Sequence, residues 1–210
     1  MDFLLDAGEY YYGHDNEEVS VDDFVSFIKH PFNRNKKFEF IDGRIVLMAG
    51  NASPNHQRIV KSIFKKFDNY LEGQICEVFF DLNLYLFRED LGKCENVYQP
   101  DILVNCDNNR ITKRGCEGVP EFAAEVISQS TSVYDYHKKC PNYMRFGVKE
   151  FWVIDLFMNR ILVYTKKGET DYNINEYTFY DDVRSELFPD LTVNFSEILE
   201  KLDKSELKWI

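Results

Sequence analysis

The sequence predicts an α/β fold, a mixed central β-sheet flanked by α-helices, and three observations predict it. Short apolar runs bounded by turn residues recur at 76–80, 82–87, 102–104, 122–127 and 150–155, and each reads as a strand. Two segments, 21–28 and 54–71, instead carry their apolar residues at helical spacing. Two of the strand-like runs also hold one acid each, Asp101 at the start of the first and Glu125 inside the second. A carboxylate beside such a run is costly to bury unless something offsets its charge.

A length of 210 residues suits one domain with a substantial core. The expected organisation is an N-terminal arm at 1–19, acidic and Tyr-rich, followed by a single domain at 20–210. An apolar content of 44%, with 13 Tyr and 18 Phe, fits a folded chain and excludes a disordered one. No apolar run approaches the roughly 20 residues of a membrane helix, and the first residues lack the basic and apolar regions of a secretion signal. Cysteines 76, 94, 106, 116 and 140 are odd in number and include no Cys-X-X-Cys pair, which predicts reduced thiols in a cytoplasm and no zinc site.

The elements follow in order. Ser20 caps a short amphipathic helix with apolar residues at 21, 24, 25 and 28 and acids in its first turn. Asp42 and Gly43 are a strong turn pair between β-rich runs at 36–41 and 44–49. There Phe38, Phe40, Ile45 and Leu47 alternate, so Glu39 faces away from them. Ser53 and Pro54 open the second helix, with His56 in its first turn and Gly73 at its end. Pro100 cannot donate to a sheet ladder, so it belongs at a strand start, where Asp101 can face a cleft. Residues 105–119 read as a polar loop in which Arg110, Lys113 and Arg114 are candidates to contact nucleic acid. The 122–127 run is apolar on both faces and suits a strand between helix layers. Lys138 and Lys139 follow at helical spacing, although Pro141 breaks helical hydrogen bonding nearby and leaves open which of the two points inward. Runs at 150–155, 160–165 and 171–180 read as further β structure, and 195–202 as a terminal amphipathic helix.

Two acids on neighbouring strands with a lysine downstream suggest a divalent metal as the compensating charge. This is the layout of a Pro-Asp…(Asp/Glu)-X-Lys site, with Ile127 standing where lysine is expected. In the order and spacing of its motifs the chain resembles the Uma-type restriction-endonuclease family of that superfamily. The matching stretches are 38–49, 53–60, 98–104, 125–131, Lys139 with Tyr143, 147–155 and 191–199, so the resemblance covers roughly 20–200. It implies a restriction-endonuclease-like core and an endonuclease hydrolysing phosphodiester bonds of DNA with Mg²⁺ or Mn²⁺. It makes Asp101 and Glu125 metal ligands, Glu39 a member of the site, and the displaced Lys139 the catalytic lysine. It also favours His56 lying near the site, with Lys138 another possible substrate contact. The competing description of Glu39 is an exposed strand glutamate, and of His56 a structural histidine.

No Gly-X-Ser-X-Gly elbow and no Walker-type glycine loop occurs. The net charge of −11 weighs against a DNA enzyme, since phosphate binding depends on lysine and arginine. Basic residues do cluster at 34–37, at 58–66 and at 110–114. The rival expectation is a degenerate nuclease fold that binds nucleic acid or dimerises. Aromatic and apolar residues in 150–195 exceed what one small sheet face should bury, so a homodimer is expected.

Overall fold

The computed structural model describes residues 10–11, 19–48, 52–88, 93–128, 132–207 and 209. Apart from Tyr10, Tyr11 and Val19, the arm expected at 1–19 lies outside them, as do residues 129–131 of the expected helix cap.

Tyr10–Tyr11 (β1) pairs with a later strand. Ser20 then caps Val21–Lys29 (α1) with a reciprocal capping box to Asp23. Phe38–Ile41 (β2) and Arg44–Leu47 (β3) form the hairpin across Asp42 and Gly43, both at positive φ. Pro54–Leu71 (α2) starts at the Ser53 cap. Glu77–Phe80 (β4), Leu84–Arg88 (β5), Lys93–Tyr98 (β6) and Ile102–Asn105 (β7) follow.

The stretch read as a polar loop at 105–119 is more ordered than expected. After a short 3-10 turn at Asn108–Arg110 it forms two small strands, Ile111–Thr112 (β8) and Gly115–Glu117 (β9). β9 pairs with β5, and Gly115 permits this close approach: a Cβ there would lie 2.1 Å from the Asn83 carbonyl oxygen.

Phe122–Val126 (β10) leads to Ser132–Tyr134 (α3), a π-helical turn at Asp135–Lys139, and Cys140–Phe146 (α4). The wider turn, closed by the Cys140 N–H donating to the Asp135 carbonyl, is how the helix passes Pro141 without breaking. Glu150–Asp155 (β11), Arg160–Lys166 (β12), Tyr172–Tyr177 (β13), Asp182–Arg184 (β14) and Thr192–Asn194 (β15) precede Phe195–Leu199 (α5). The terminal helix is thus shorter than the 195–202 expected, and the ribbon of β14 and β15 was not foreseen.

The strands form two large mixed sheets where one was expected. The first runs β1-β3-β2-β6-β5-β9-β8, the second β13-β12-β11-β10-β7-β4. Helix α1 covers one face of the first sheet through Phe24, Phe27, Phe38 and Phe40. Its other face meets the second sheet and α4 in a shared core that includes Ile41, Leu103, Ala123, Tyr143 and Phe151. The far face of the second sheet is covered by α2 and the C-terminal segment, around Ile63, Phe67, Phe122, Trp152 and Phe195. Phe151, Trp152, Tyr164, Phe179, Phe188 and Phe195 are all buried within the chain. In the same span Met158, Ile174 and Tyr180 stay exposed.

One expectation is overturned outright. Cys76 and Cys106 form a disulfide, where all five thiols were expected to be free. Glu77 pairs with Asn105 in the antiparallel β4–β7 ladder, so the next residues outward, Cys76 and Cys106, face each other. Cys94, Cys116 and Cys140 are free and buried. Among the described residues no helix is long and apolar enough to cross a membrane.

Candidate active site

Period-two alternation brings the acids together. In β2, Phe38 and Phe40 point to α1, so Glu39 points the other way, into the layer between the sheets. In β10, Ala123 and Ile127 join that same intersheet core, and Glu125 lies between them. Glu39 is 0% exposed, which removes the description of it as an ordinary surface glutamate.

Lys139 reaches this layer from the π-helical turn. Its Nζ stands 2.9 Å from Glu39 Oε1, 3.2 Å from Glu125 Oε2 and 3.4 Å from Asp135 Oδ1. All four side chains are buried. Tyr143 donates its hydroxyl to Glu125 Oε1 at 2.7 Å, and the Gln99 N–H donates to Glu39 Oε1 at 3.1 Å. Glu39 Oε2 is buried without a hydrogen-bond partner. Lys138, one residue earlier, lies on the surface and pairs with Asp42 at 3.2 Å. Ile127, in the position where the motif expects lysine, is packed in the intersheet core.

Asp101 immediately precedes β7, which pairs with β10 in a register that sets Ala124 opposite Ile102. The two acids thus lie on adjacent strands. Asp101 Oδ2 accepts the Val126 N–H at 2.8 Å and lies 3.3 Å from His56 Nε2. The Ser53 cap that starts α2 fixes His56, whose backbone N–H donates to Ser53 Oγ. His56 Nδ1 is buried with no partner.

The electrostatics separate the two acids. Burial acts to raise the Asp101 carboxyl, but the His56 hydrogen bond and charge, the Val126 N–H and Lys37 outweigh it and hold it below its ordinary value. Glu125 goes the other way: burial pushes it up to about 8, against the pull of Lys139, with Asp135, Asp101 and Glu39 adding repulsion. Burial works to neutralise Lys139, yet Glu125, Glu39 and Asp135 together hold the ammonium well above its ordinary value. The cluster therefore keeps one firm cation, and Glu125 is the acid that burial pushes toward its neutral form.

The remaining candidates lie elsewhere. Arg110 and Arg114 flank the β8–β9 pair at the end of the first sheet, with β6, β5 and β9 between β8 and β2. Arg110 contacts Asp107 and Glu121, and Arg114 pairs with Glu117 at 3.1 Å above the Tyr85 ring. Lys113 is exposed in the turn between these strands. Asp135 and Tyr143 are part of the cluster although the sequence reading gave neither a role. The signal was present, since they stand four residues before and after Lys139.

Hard divalent cations prefer carboxylate oxygens, and the donors here match: Asp101, Glu125 and an unpartnered Glu39 oxygen. Among the described residues no three His, Cys, Asp or Glu side chains form a ready metal cage. Mg²⁺ does not require one, because it keeps several waters and needs only one or two carboxylates.

A search of curated proteins found no match. The fold is similar to a solved structure described as a putative nuclease belonging to DUF820 from Anabaena variabilis ATCC 29413, with a TM-score of 0.68 and 17% identity over 87% of this chain and 98% of that one. The model of the Uma2 family, described as putative restriction endonuclease, matches residues 21–196. That span is most of the chain, and the chain belongs to the Uma2 family.

Proposed function

We propose that the protein is a metal-dependent endonuclease that hydrolyses phosphodiester bonds of DNA. The observation that carries this reading is the convergence of Glu39, Glu125 and Lys139 from two sheets and a helix, beside Asp101 on the neighbouring strand. Asp101 and Glu125 would hold Mg²⁺ or Mn²⁺, with Glu39 in its outer shell. The cation would supply Lewis acidity at the phosphate and lower the pKa of the attacking water.

The chain's own groups do the rest. Water attacks phosphorus and gives up a proton to solvent, one P–O bond forms as the bond to the leaving oxygen breaks, and that oxygen takes a proton from solvent. Lys139 places a compact positive charge where the phosphorane-like transition state accumulates negative charge. Tyr143 fixes the rotamer of Glu125, and His56 with the Val126 N–H fixes that of Asp101. Arg110, Lys113, Arg114 and Lys138 are candidates for backbone contact, for which Arg110, Arg114 and Lys138 would have to exchange their present carboxylate partners for phosphates.

A second reading has its own observation. Both Glu125 oxygens are already engaged, by Lys139 and Tyr143, so the cluster can also serve as an internally hydrogen-bonded core of a fold that binds nucleic acid or pairs without cutting. Incubation of plasmid DNA and oligonucleotides with Mg²⁺ or Mn²⁺ separates the two. Cleavage by the wild type that falls by orders of magnitude in Glu125→Gln supports the nuclease. No cleavage under either metal leaves the binding fold.

A further inference from the structure

Phe80 is a large apolar side chain left 60% exposed, one strand away from the start of β7 that Asp101 precedes. It ends β4, opposite Ile102, the residue that follows Asp101. Its ring stands edge-on to Phe64 of α2, with centroids 5.2 Å apart and planes at 90°. That contact fixes the ring while leaving most of the residue open to solvent.

Its surroundings mix charges, in a chain whose net charge is −11: Lys61 and Lys65 stand among exposed Asp68, Glu77 and Asp81. The next residue, Asp81, has a left-handed backbone, accepts Gln99 Nε2 on its carbonyl, and pairs with Lys37 at 3.1 Å. Lys37 is near enough for its charge to act on Asp101. Its pairing with Asp81 is solvent-exposed, so a phosphate can compete for it at little cost. On α2, exposed Lys61 lies one turn before Phe64, and exposed Arg58 and Lys65 continue the same stripe.

We propose that Phe80 is a stacking platform for a nucleobase next to the scissile phosphate, and that the substrate enters this site as an unpaired strand. The inference rests on the reading of the acidic pocket as the phosphodiester site. In a duplex each base has both faces covered by its neighbours, so a phenyl ring can stack only on a base that has left the helix. Aromatic rings interleaved with lysines are how proteins hold single strands without reading their sequence. Duplex binding draws instead on broad phosphate neutralisation, whereas the lysines around Phe64 and Phe80 are few and interspersed with Asp68, Glu77 and Asp81.

The test is fluorescence anisotropy with an end-labelled oligothymidylate of about 16 nucleotides and with the corresponding duplex. Ca²⁺ replaces Mg²⁺ so that binding is read without turnover. Phe80→Leu keeps an apolar contact with Phe64 but loses the ring. It should weaken oligothymidylate binding by about 10- to 100-fold and leave duplex binding within about 2-fold. Phe80→Trp should retain affinity and show fluorescence quenching on binding that the wild type lacks. Wild-type affinity in Phe80→Leu, or a wild type that prefers duplex, overturns the proposal. So does a switch from dimer to monomer in Phe80→Leu with oligothymidylate affinity unchanged, which assigns the face to a second copy. Cleavage that depends on Glu125 but not on Phe80 would remove this inference and leave the nuclease. Phe80-dependent binding with no cleavage under any metal would remove the nuclease, and with it the placement beside a scissile phosphate, and leave Phe80 as a platform for an unpaired strand.

Discussion

Lys139 Nζ and Glu39 Oε1 stand 2.9 Å apart, the shortest of three ion pairs in a buried cluster whose members come from a helix and two different sheets. One ammonium therefore holds the two sheets together at the point where three carboxylates would otherwise repel.

Removing that ammonium should be expensive. Lys139→Met leaves Glu39, Glu125 and Asp135 buried without their cation, and breaking a buried pair this way typically costs about 3–5 kcal/mol. Urea denaturation at neutral pH measures it. The double variant Lys139→Met/Glu39→Gln should lose less than the two single costs added together, because the two groups are coupled. On the proposed mechanism Lys139 acts on the transition state, so in cleavage assays Lys139→Ala should keep metal binding and lose rate. Normal cleavage in Lys139→Ala combined with loss in Lys138→Ala would transfer the role to the surface lysine.

Stability should depend on pH in a stated direction. Glu125 keeps its proton to about 8 in the folded chain and releases it near 4.5 when unfolded. The folded state then binds more protons across that window, so metal-free stability falls as pH rises from about 4.5 to about 8. Asp101 works oppositely: its lowered value adds stability that is present above its ordinary range and lost as pH falls into strong acid. Thermal melts across this range should show the decline in the wild type and flatten it in Glu125→Gln. An equal slope in both proteins would contradict the assignment.

The disulfide makes a separate prediction. Cys76 and Cys106 are 30 residues apart in sequence, and closing a loop of that length stabilises by about 3–4 kcal/mol through the unfolded state. Adding reductant, or the change Cys76→Ser, should lower the denaturation midpoint accordingly. An unchanged midpoint would mean that the bond contributes nothing to the fold in solution.

Much of this architecture was legible in residue patterns. The Asp42–Gly43 hairpin, the Ser53-capped helix and the strands carrying Asp101 and Glu125 follow from turn chemistry and periodicity, which are local. The second sheet was not legible, because β5, β6 and β9 join β2 by pairings whose partners are distant in sequence. The site divides along the same line. The orientation of Glu39 followed from alternation with Phe38 and Phe40. Its burial did not, since that depends on a sheet packing above it. Which lysine turns inward depended on a π-helical turn at Pro141, and hydrophobic period alone does not report such a turn. The disulfide was missed because an odd cysteine count says nothing about register, whereas the β4–β7 ladder sets Cys76 against Cys106.

The most direct test of the central claim is calorimetric titration of Mg²⁺ into the metal-free protein near neutral pH, in two buffers of different ionisation enthalpy. Glu125 is still largely protonated there, so a cation that binds its carboxylate must expel about one proton. The account predicts saturable binding to the wild type with that proton release, and loss of both in Glu125→Gln and Asp101→Asn. Absence of Mg²⁺ binding by the wild type, or equal binding by the Glu125→Gln variant, would contradict it.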